Sequence, residues 1–376
     1  MLRLIKKEPV FVIATILMII SMFFVHPNPG YLSYIDFKVL ALLFCLMAVV
    51  AGLRSQGVFR FMAKILTKRM QTIRTLTLVL CILCFFTSML ITNDVVLLTF
   101  IPLTLVMLDS AREYALIRTI VLETIAANLG SMFTPIGNPQ NLYLYNKGGY
   151  EPLSFCRYML FPTLLCLIFI IFLCFFASRD KIQMSVMEDP KDESGNLIRP
   201  KVWKIVLYGT LFVICLLNVF HVLHYAVVLT IVFLTFLIVD RKCLLKVDYM
   251  LLFTFVAFFV LIGNLGQISI VRNAIESMLE GRVFYVSILA SQLLSNVPAA
   301  MLLSEFTNDI DALLLGVNLG GLGTIIASMA SLISYKLYAA RRGSKKGLYM
   351  GVFSLLNFGL LLVLTILVPL LVPMCV

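Results

Sequence analysis

Phe86-Thr-Ser-Met-Leu-Ile-Thr-Asn-Asp-Val-Val96 is the stretch whose reading decides the fold. The polar trio Thr92, Asn93 and Asp94 interrupts an apolar run, and Asp94 is the only formal charge between Thr75 and Leu108. A continuous helix of that length would reach roughly 50 Å, beyond a ~30 Å hydrocarbon core, whereas two full spans would take about 40 residues. A hairpin that enters and leaves the bilayer on one side fits better, with its tip at the polar trio. The open backbone at such a tip must be satisfied by protein or water, because lipid offers no partners.

The pattern returns. Ser88-x-Leu90-Ile91-Thr92-Asn93 is matched by Ser291-x-Leu293-Leu294-Ser295-Asn296, each position shifted by 203 residues. The second copy also lies within an apolar run, between Arg282 and Glu305. Interrupted apolar segments at corresponding places in two halves point to the binding site of a secondary transporter.

Composition sets the class. Hydrophobic residues make up 61% and charged residues 13% of 376, against roughly 25% charged in soluble domains. The chain reads as an all-α polytopic membrane protein whose environment is the lipid bilayer. Its net charge of +11 is therefore a matter of which membrane face carries the lysines and arginines, not of nucleic acid. Cys81 and Cys84 form a C-x-x-C with no second pair or histidine cluster nearby, which argues against metal or redox work. His221 and His224 fall between two spans and read as interfacial.

In order, Val10 to Val25 is a first span and Phe37 to Leu53 a second. Gly52 to Arg74, basic with interleaved apolar residues, reads as an amphipathic surface helix. Residues 75–108 form the first hairpin, and residues 117–145 a span broken at Asn128-Leu-Gly-Ser-Met-Phe-Thr-Pro-Ile-Gly-Asn-Pro-Gln-Asn141, where two prolines and two glycines preclude an unbroken helix. A span from Tyr158 to Ala177 completes the first repeat, 1–177, and 178–202 is a hydrophilic cytoplasmic linker. The remainder, 203–376, holds an extra span (Trp203 to Phe220), spans at Ala226 to Val239 and Tyr249 to Leu265, and a surface helix at Gln267 to Gly281. A second hairpin (283–306), a second broken span (313–335, interrupted from Gly316 to Thr324) and a last span at Leu348 to Val372 follow.

With the amino terminus inside, 25 of the 30 lysines and arginines fall in cytoplasmic segments; Lys38, Lys147, Arg157, Arg272 and Arg282 fall outside. The carboxyl terminus is then external, the two hairpins enter from opposite faces of a plasma (inner) membrane, and the halves are inverted repeats.

Ser88 to Asp94, Thr134-Pro-Ile-Gly-Asn-Pro-Gln-Asn141, Ser295-Asn296-Val297-Pro298 and Gly316-Val-Asn-Leu-Gly320 together resemble the ion transporter superfamily. Within it the chain is similar to the citrate-transporter-like, divalent-anion (sodium symporter) and arsenite-permease families. That resemblance implies an elevator-type carrier, often a homodimer, that couples a small anionic substrate to Na⁺ or H⁺ and has no other cofactor. Carried over by position, Ser88, Thr92 and Asn93 with the loop from Gly130 to Thr134 would hold one cation. Ser291, Ser295 and Asn296 with Gly323 and Thr324 would hold a second. The anion would lie between Asn93 and Asn296, against Thr92, Asp94, Thr134, Asn138 and Val297. The Ser-Asn-Thr tips of the carboxylate carriers become Thr-Asn-Asp and Ser-Asn-Val here, and the Gly-rich second break leans toward the arsenite and sodium/proton antiporter branches.

A hairpin tip exposes the amino terminus of its second half-helix, where free N–H groups and the helix dipole favour an anion. Carbonyls freed at helix breaks suit a hard cation. Asp94, read as the one acidic residue near mid-membrane, is either a cation or proton ligand or a helix N-cap. For Asn128 and Asn318 an interhelical hydrogen bond is as good a reading as a ligand role. An intramembrane enzyme would require a nucleophile with its base, or a metal constellation, at membrane depth, and a channel would not require inverted broken repeats. A coupled carrier of a carboxylate or oxyanion, or an arsenite permease or Na⁺/H⁺ antiporter of the same fold, is the expectation.

Overall fold

The structure, a computed structural model, describes residues 9–58, 61, 70–181, 201–220 and 222–371. Among these, the longer elements are all helices: α1 (Pro9–Phe24), α2 (Phe37–Ser55), α3 (Ile73–Thr87), α4 (Asn93–Met107), α5 (Glu113–Ser131), α6 (Pro139–Lys147), α7 (Pro152–Phe175), α8 (Val202–Val219), α9 (Tyr225–Val239), α10 (Tyr249–Gln267), α11 (Ser269–Leu279), α12 (Val283–Leu294), α13 (Asn296–Leu303), α14 (Ile310–Leu319), α15 (Met329–Ala339) and α16 (Lys346–Leu371). Five of them, α2, α7, α8, α10 and α16, are long and apolar enough to cross a bilayer. The chain is an all-helical polytopic membrane protein. Most of the surface segment expected between Gly52 and Arg74, the body of the 178–202 linker and His221 lie outside the described residues; Gly52 to Ser55 complete α2.

Local chemistry sets the helix starts. The side chains of Asp36, Thr72, Asp248 and Asp309 accept from backbone amides at the starts of α2, α3, α10 and α14, satisfying donors that a first turn leaves free. Pro139 and Pro152 stand at the first positions of α6 and α7, where no N–H is required.

The hairpin segments are helix pairs. α3 and α4, 15 residues each, are about 22 Å long, too short to span a ~30 Å core alone. Residues 88–92 separate them, whereas Ser295 alone separates α12 from α13. That one residue must redirect the chain, and Ser295 is the only described non-glycine residue with positive φ, at 79°, a strained conformation for a side chain.

The broken spans break later than the sequence suggests. α5 runs through Asn128 and Gly130 to Ser131, and α14 through Gly316 and Asn318 to Leu319, leaving breaks at 132–138 and 320–328. The glycines serve packing rather than unwinding. A Cβ on Gly130 would lie 2.1 Å from the Phe85 carbonyl oxygen, and one on Gly316 2.6 Å from that of Phe284. Beyond their first turns both helices are buried on every side.

Packing sorts the helices into two groups that meet where α10 lies on α13 and α2 on α6. α2 packs against α8, α9 and α10, and α10 against α1; α3 to α7 pack with α12 to α16. Pairings recur between the halves: α3 on α5 and α12 on α14, α2 on α9 and α10 on α1, α4 on α15 and α13 on α6. α11 is exposed along most of its length, as expected of a surface helix. Outward faces of α7, α8, α9 and α16 present Ile168, Phe172, Val206, Leu234, Leu362 and Ile366, a surface suited to lipid.

Candidate functional site

Each helix pair is latched to the break of its own half by the same two bonds. The Asn93 amide donates to the Gly137 carbonyl at 3.2 Å, and the Asn296 amide to that of Ala327 at 2.9 Å. The Thr134 hydroxyl donates to the Met89 carbonyl, and the Thr324 hydroxyl to the Gln292 carbonyl at 3.1 Å. Met89 and Gln292 differ by 203 positions, like Asn93 and Asn296; Thr134 and Thr324 differ by 190, like Gly137 and Ala327. In each helix pair the leading asparagine's Oδ1 accepts from the next amide, Asp94 or Val297.

The halves meet through two asparagines. Asn128 Oδ1 accepts from Asn93 Nδ2 and from the Ser328 hydroxyl, both at 3.0 Å, while its Nδ2 donates to Ser331 at 3.3 Å. Asn318 Oδ1 accepts from Asn138 Nδ2 at 3.1 Å, and its Nδ2 donates to Asn141 Oδ1 at 2.7 Å. A shift of 190 turns the first set into the second: Asn128 into Asn318, Asn138 into Ser328, Asn141 into Ser331. Four helix starts converge here: α4 at Asn93, α13 at Asn296, α6 after Asn138 and α15 after Ser328. Their N-terminal dipole ends make the region attractive to negative charge.

Ser131 joins the two sets, accepting from Asn138 Nδ2 at 3.0 Å and donating to the Asn128 carbonyl at 2.8 Å, so that Asn93, Asn128, Asn138 and Asn318 form one hydrogen-bonded core, which Asn296 joins through Ala327, the neighbour of Ser328; among the described residues Asn93 and Asn296 do not bond each other directly. Ser88 and Ser291 are buried but turn their hydroxyls back to the carbonyls of Phe85 and Ser287, both at 2.8 Å. Thr92 is half-buried at the cap position of α4 with no side-chain cap bond. Gly323 has φ 99° in the second break, and Val297 is buried. Asp94 is not a cap: it occupies the second position of α4, and its buried Oδ1 has no hydrogen-bond partner.

Three features escape a reading of the sequence. The counterpart of Thr134-Pro-Ile-Gly-Asn-Pro-Gln-Asn141 is Thr324-Ile-Ile-Ala-Ser-Met-Ala-Ser331, concealed because Ser replaces Asn and the prolines are gone; the six-residue step from Asn128 to Thr134, repeated from Asn318 to Thr324, was the available signal. Gln292 Nε2 donates to the Gly320 and Leu322 carbonyls at 2.8 and 2.9 Å, and its Oε1 accepts from the Thr324 amide at 2.8 Å. In the first half Asn141 Nδ2 takes this part, donating to the carbonyls of Ser131, Met132 and Thr134. Glu123, on α5, is completely buried, so Asp94 is not the only acidic group at membrane depth.

Polar contacts also sort the helix ends. On one side Arg341 bonds Asp109 and Glu113 at 3.0 and 2.9 Å, Arg74 the Ala177 carbonyl at 3.2 Å, and Lys204 pairs with Asp240 at 2.9 Å. On the other, Lys147 pairs with Glu305, Tyr150 bonds Asp311 and Tyr145 bonds the Val219 carbonyl. A cavity of about 400 Å³ lined by Arg272, Glu276, Arg282, Glu305 and Asp309 opens on this second side, at the helix ends rather than the breaks.

The sequence profile of the citrate transporter family matches residues 1–312. An uncharacterized transporter of Methanocaldococcus jannaschii is 35% identical over 309 residues, 81% of each chain. The inner membrane protein YbiR of Escherichia coli is 28% identical over 315 residues, 82% of each chain. A silicon efflux transporter of Oryza sativa, LSI3, is 37% identical over 123 residues, 32% of this chain and 25% of that one.

Proposed function

The chain belongs to the citrate transporter family, and we propose that it is a secondary active carrier of a small anion, a carboxylate or an oxyanion, driven by Na⁺ or H⁺. The observation that carries this reading is the convergence of four helix starts on one buried polar core. An anion between Asn93 and Asn296 would take the N–H groups of those first turns, with Thr92, Thr134 and Asn138 beside it and Asp94 at its rim. A cation would take loop carbonyls now held by the Asn141 and Gln292 amides, with Ser88 and Gly130 on one side and Ser291, Ser295, Gly323 and Thr324 on the other. Anion and cation would then offset each other's charge where water is scarce.

The recurring pairings between the halves support an inverted repeat, with α1, α2, α8, α9 and α10 as a scaffold against which the other group moves. A second reading is export of a metalloid oxyacid. It is favoured by the Thr-Asn-Asp and Ser-Asn-Val tips and by the likeness to a silicon efflux transporter. Uptake of citrate, succinate, arsenite and silicic acid into proteoliposomes, with and without Na⁺ and pH gradients, tests both. Gradient-driven accumulation of citrate or succinate is expected; accumulation of silicic acid or arsenite alone would select the second reading, and uptake indifferent to both gradients would refute coupling.

The polar contacts group 74, 109–113, 177, 204, 240 and 341 on one side, and the positive-inside tendency makes that side cytoplasmic. A cysteine introduced at Asp192 is therefore expected to resist an impermeant thiol reagent in intact cells. Its modification there would invert the topology.

A further inference from the structure

Glu123 lies in the middle of α5 with no exposed surface, among helices that leave it almost without polar company. α5 packs against α3, α4, α7, α14, α15 and α16. From α4 the Thr104 hydroxyl is 2.5 Å from Glu123 Oε1, and the other carboxyl oxygen has no partner. The titratable groups facing it are the thiols of Cys81 and Cys84 on α3 and the phenol of Tyr349 on α16. Cys174 on α7 stands beside Cys81, and α15 contributes the Ser334 hydroxyl, bonded to Thr124 and Tyr349. Among the described residues no lysine, arginine or histidine pairs with Glu123. A bare carboxylate with one hydrogen-bond donor is very costly to bury, and a site of this kind holds the neutral acid instead.

The Thr104 hydroxyl supplies a second argument. It lies within bonding distance of two acceptors, Glu123 Oε1 at 2.5 Å and the Phe100 carbonyl at 3.2 Å, yet it has one hydrogen. A protonated Glu123 resolves the conflict by donating to Thr104 Oγ, whose own hydrogen then bonds the Phe100 carbonyl.

We propose that Glu123 is a proton-binding site whose proton is loaded and released during transport. This rests on the reading of the chain as a coupled carrier and names the proton as a coupling ion. On release the carboxyl O–H bond breaks, its electron pair stays on oxygen, the proton passes to water, and the Thr104 hydroxyl turns to the new carboxylate. In the conformation described here the group is sealed, so exchange requires α4 and α5 to separate. The C-x-x-C pair becomes part of the apolar wall of that site rather than a redox pair.

Infrared spectroscopy of the purified full-length protein in lipid, with Glu123→Gln as reference, decides the first half. At neutral pH the wild type is expected to show a neutral carboxylic-acid carbonyl band that shifts in D₂O and is missing from Glu123→Gln. Thr104→Val, which keeps the acid and removes its partner, is expected to move that band without abolishing it, and serves if the glutamine variant does not fold. An identical spectrum in wild type and Glu123→Gln, or a Thr104→Val spectrum that shows only carboxylate, overturns the site. Proteoliposome uptake of radiolabelled citrate and succinate decides the second half. Glu123→Gln is expected to lose at least about 10-fold in accumulation driven by a pH gradient while keeping exchange of internal for external anion; wild-type accumulation in this variant overturns the coupling role. If neither anion moves in the wild type, the proposed function fails while the infrared band still decides the proton site.

Discussion

Replacing Asn93 or Asn296 with alanine is expected to weaken binding of the transported anion by roughly 5- to 150-fold, the equivalent of about 1 to 3 kcal/mol per unsatisfied partner. Truncation at Asn93 strands the Asp94 amide and removes a donor from Asn128 Oδ1. Truncation at Asn296 strands the Val297 amide. Water replaces these partners poorly, since both positions are about 4% exposed. The backbone latches to Gly137 and Ala327 survive either change, so both variants are expected to reach the membrane folded. Asn93→Ala is expected to be the more damaging, because it alone also breaks a side-chain link to Asn128 and thereby to Ser328 in the other half. Thermal shift of purified protein across citrate, succinate and arsenite, with and without Na⁺ and at two pH values, reads affinity and cation dependence together. Wild-type stabilisation and cation dependence in both variants would remove the helix-start site from consideration.

Much of this architecture was legible because lipid penalises polar interruptions. A run that stops being apolar at Thr92-Asn93-Asp94, and again at Ser295-Asn296, declares a break, and in the structure each asparagine opens a new helix. The family resemblance likewise rested on short polar blocks that are costly to place in a bilayer. Less legible was anything that depends on which face a residue takes. Gly130 and Gly316 read as helix breakers, yet each continues its helix because its missing side chain admits a neighbouring backbone. Gln292 reads as one polar residue on an apolar helix, and only the folded chain shows its amide joining Gly320, Leu322 and Thr324. Glu123 was hidden by position: it precedes the polar block that marks the first broken span, and nothing in its neighbours' identity distinguishes a carboxyl sealed among helices from one at a helix end.

The same glycine-to-alanine change should have opposite signs at different helices, and the sign follows from what the new methyl would meet. In α8 and α16, a Cβ added at Gly209 or Gly351 finds no atom within 4 Å, so alanine's better helix propensity, worth up to about 1 kcal/mol, is expected to raise the thermal midpoint slightly. At Gly130 the Cβ would stand 2.1 Å from the Phe85 oxygen and 2.7 Å from its carbonyl carbon and Cα. That neighbour is backbone, in the last turns of α3, and has no rotamer by which to withdraw. Overpacking a well-filled core costs about 1 to 3 kcal/mol even when side chains can adjust, so Gly130→Ala is expected to lose at least about 3 kcal/mol. Helices α3 and α5 would have to part, drawing the Gly137 carbonyl of the first break away from the Asn93 amide that it holds. Gly316→Ala, whose methyl would lie 2.6 Å from the Phe284 oxygen, is expected to damage α12 and α14 in the same way but less severely. Midpoints from heating followed by size-exclusion chromatography rank the four variants directly. A Gly130→Ala protein that melts with the wild type would mean that α3 and α5 do not approach as closely as this packing requires.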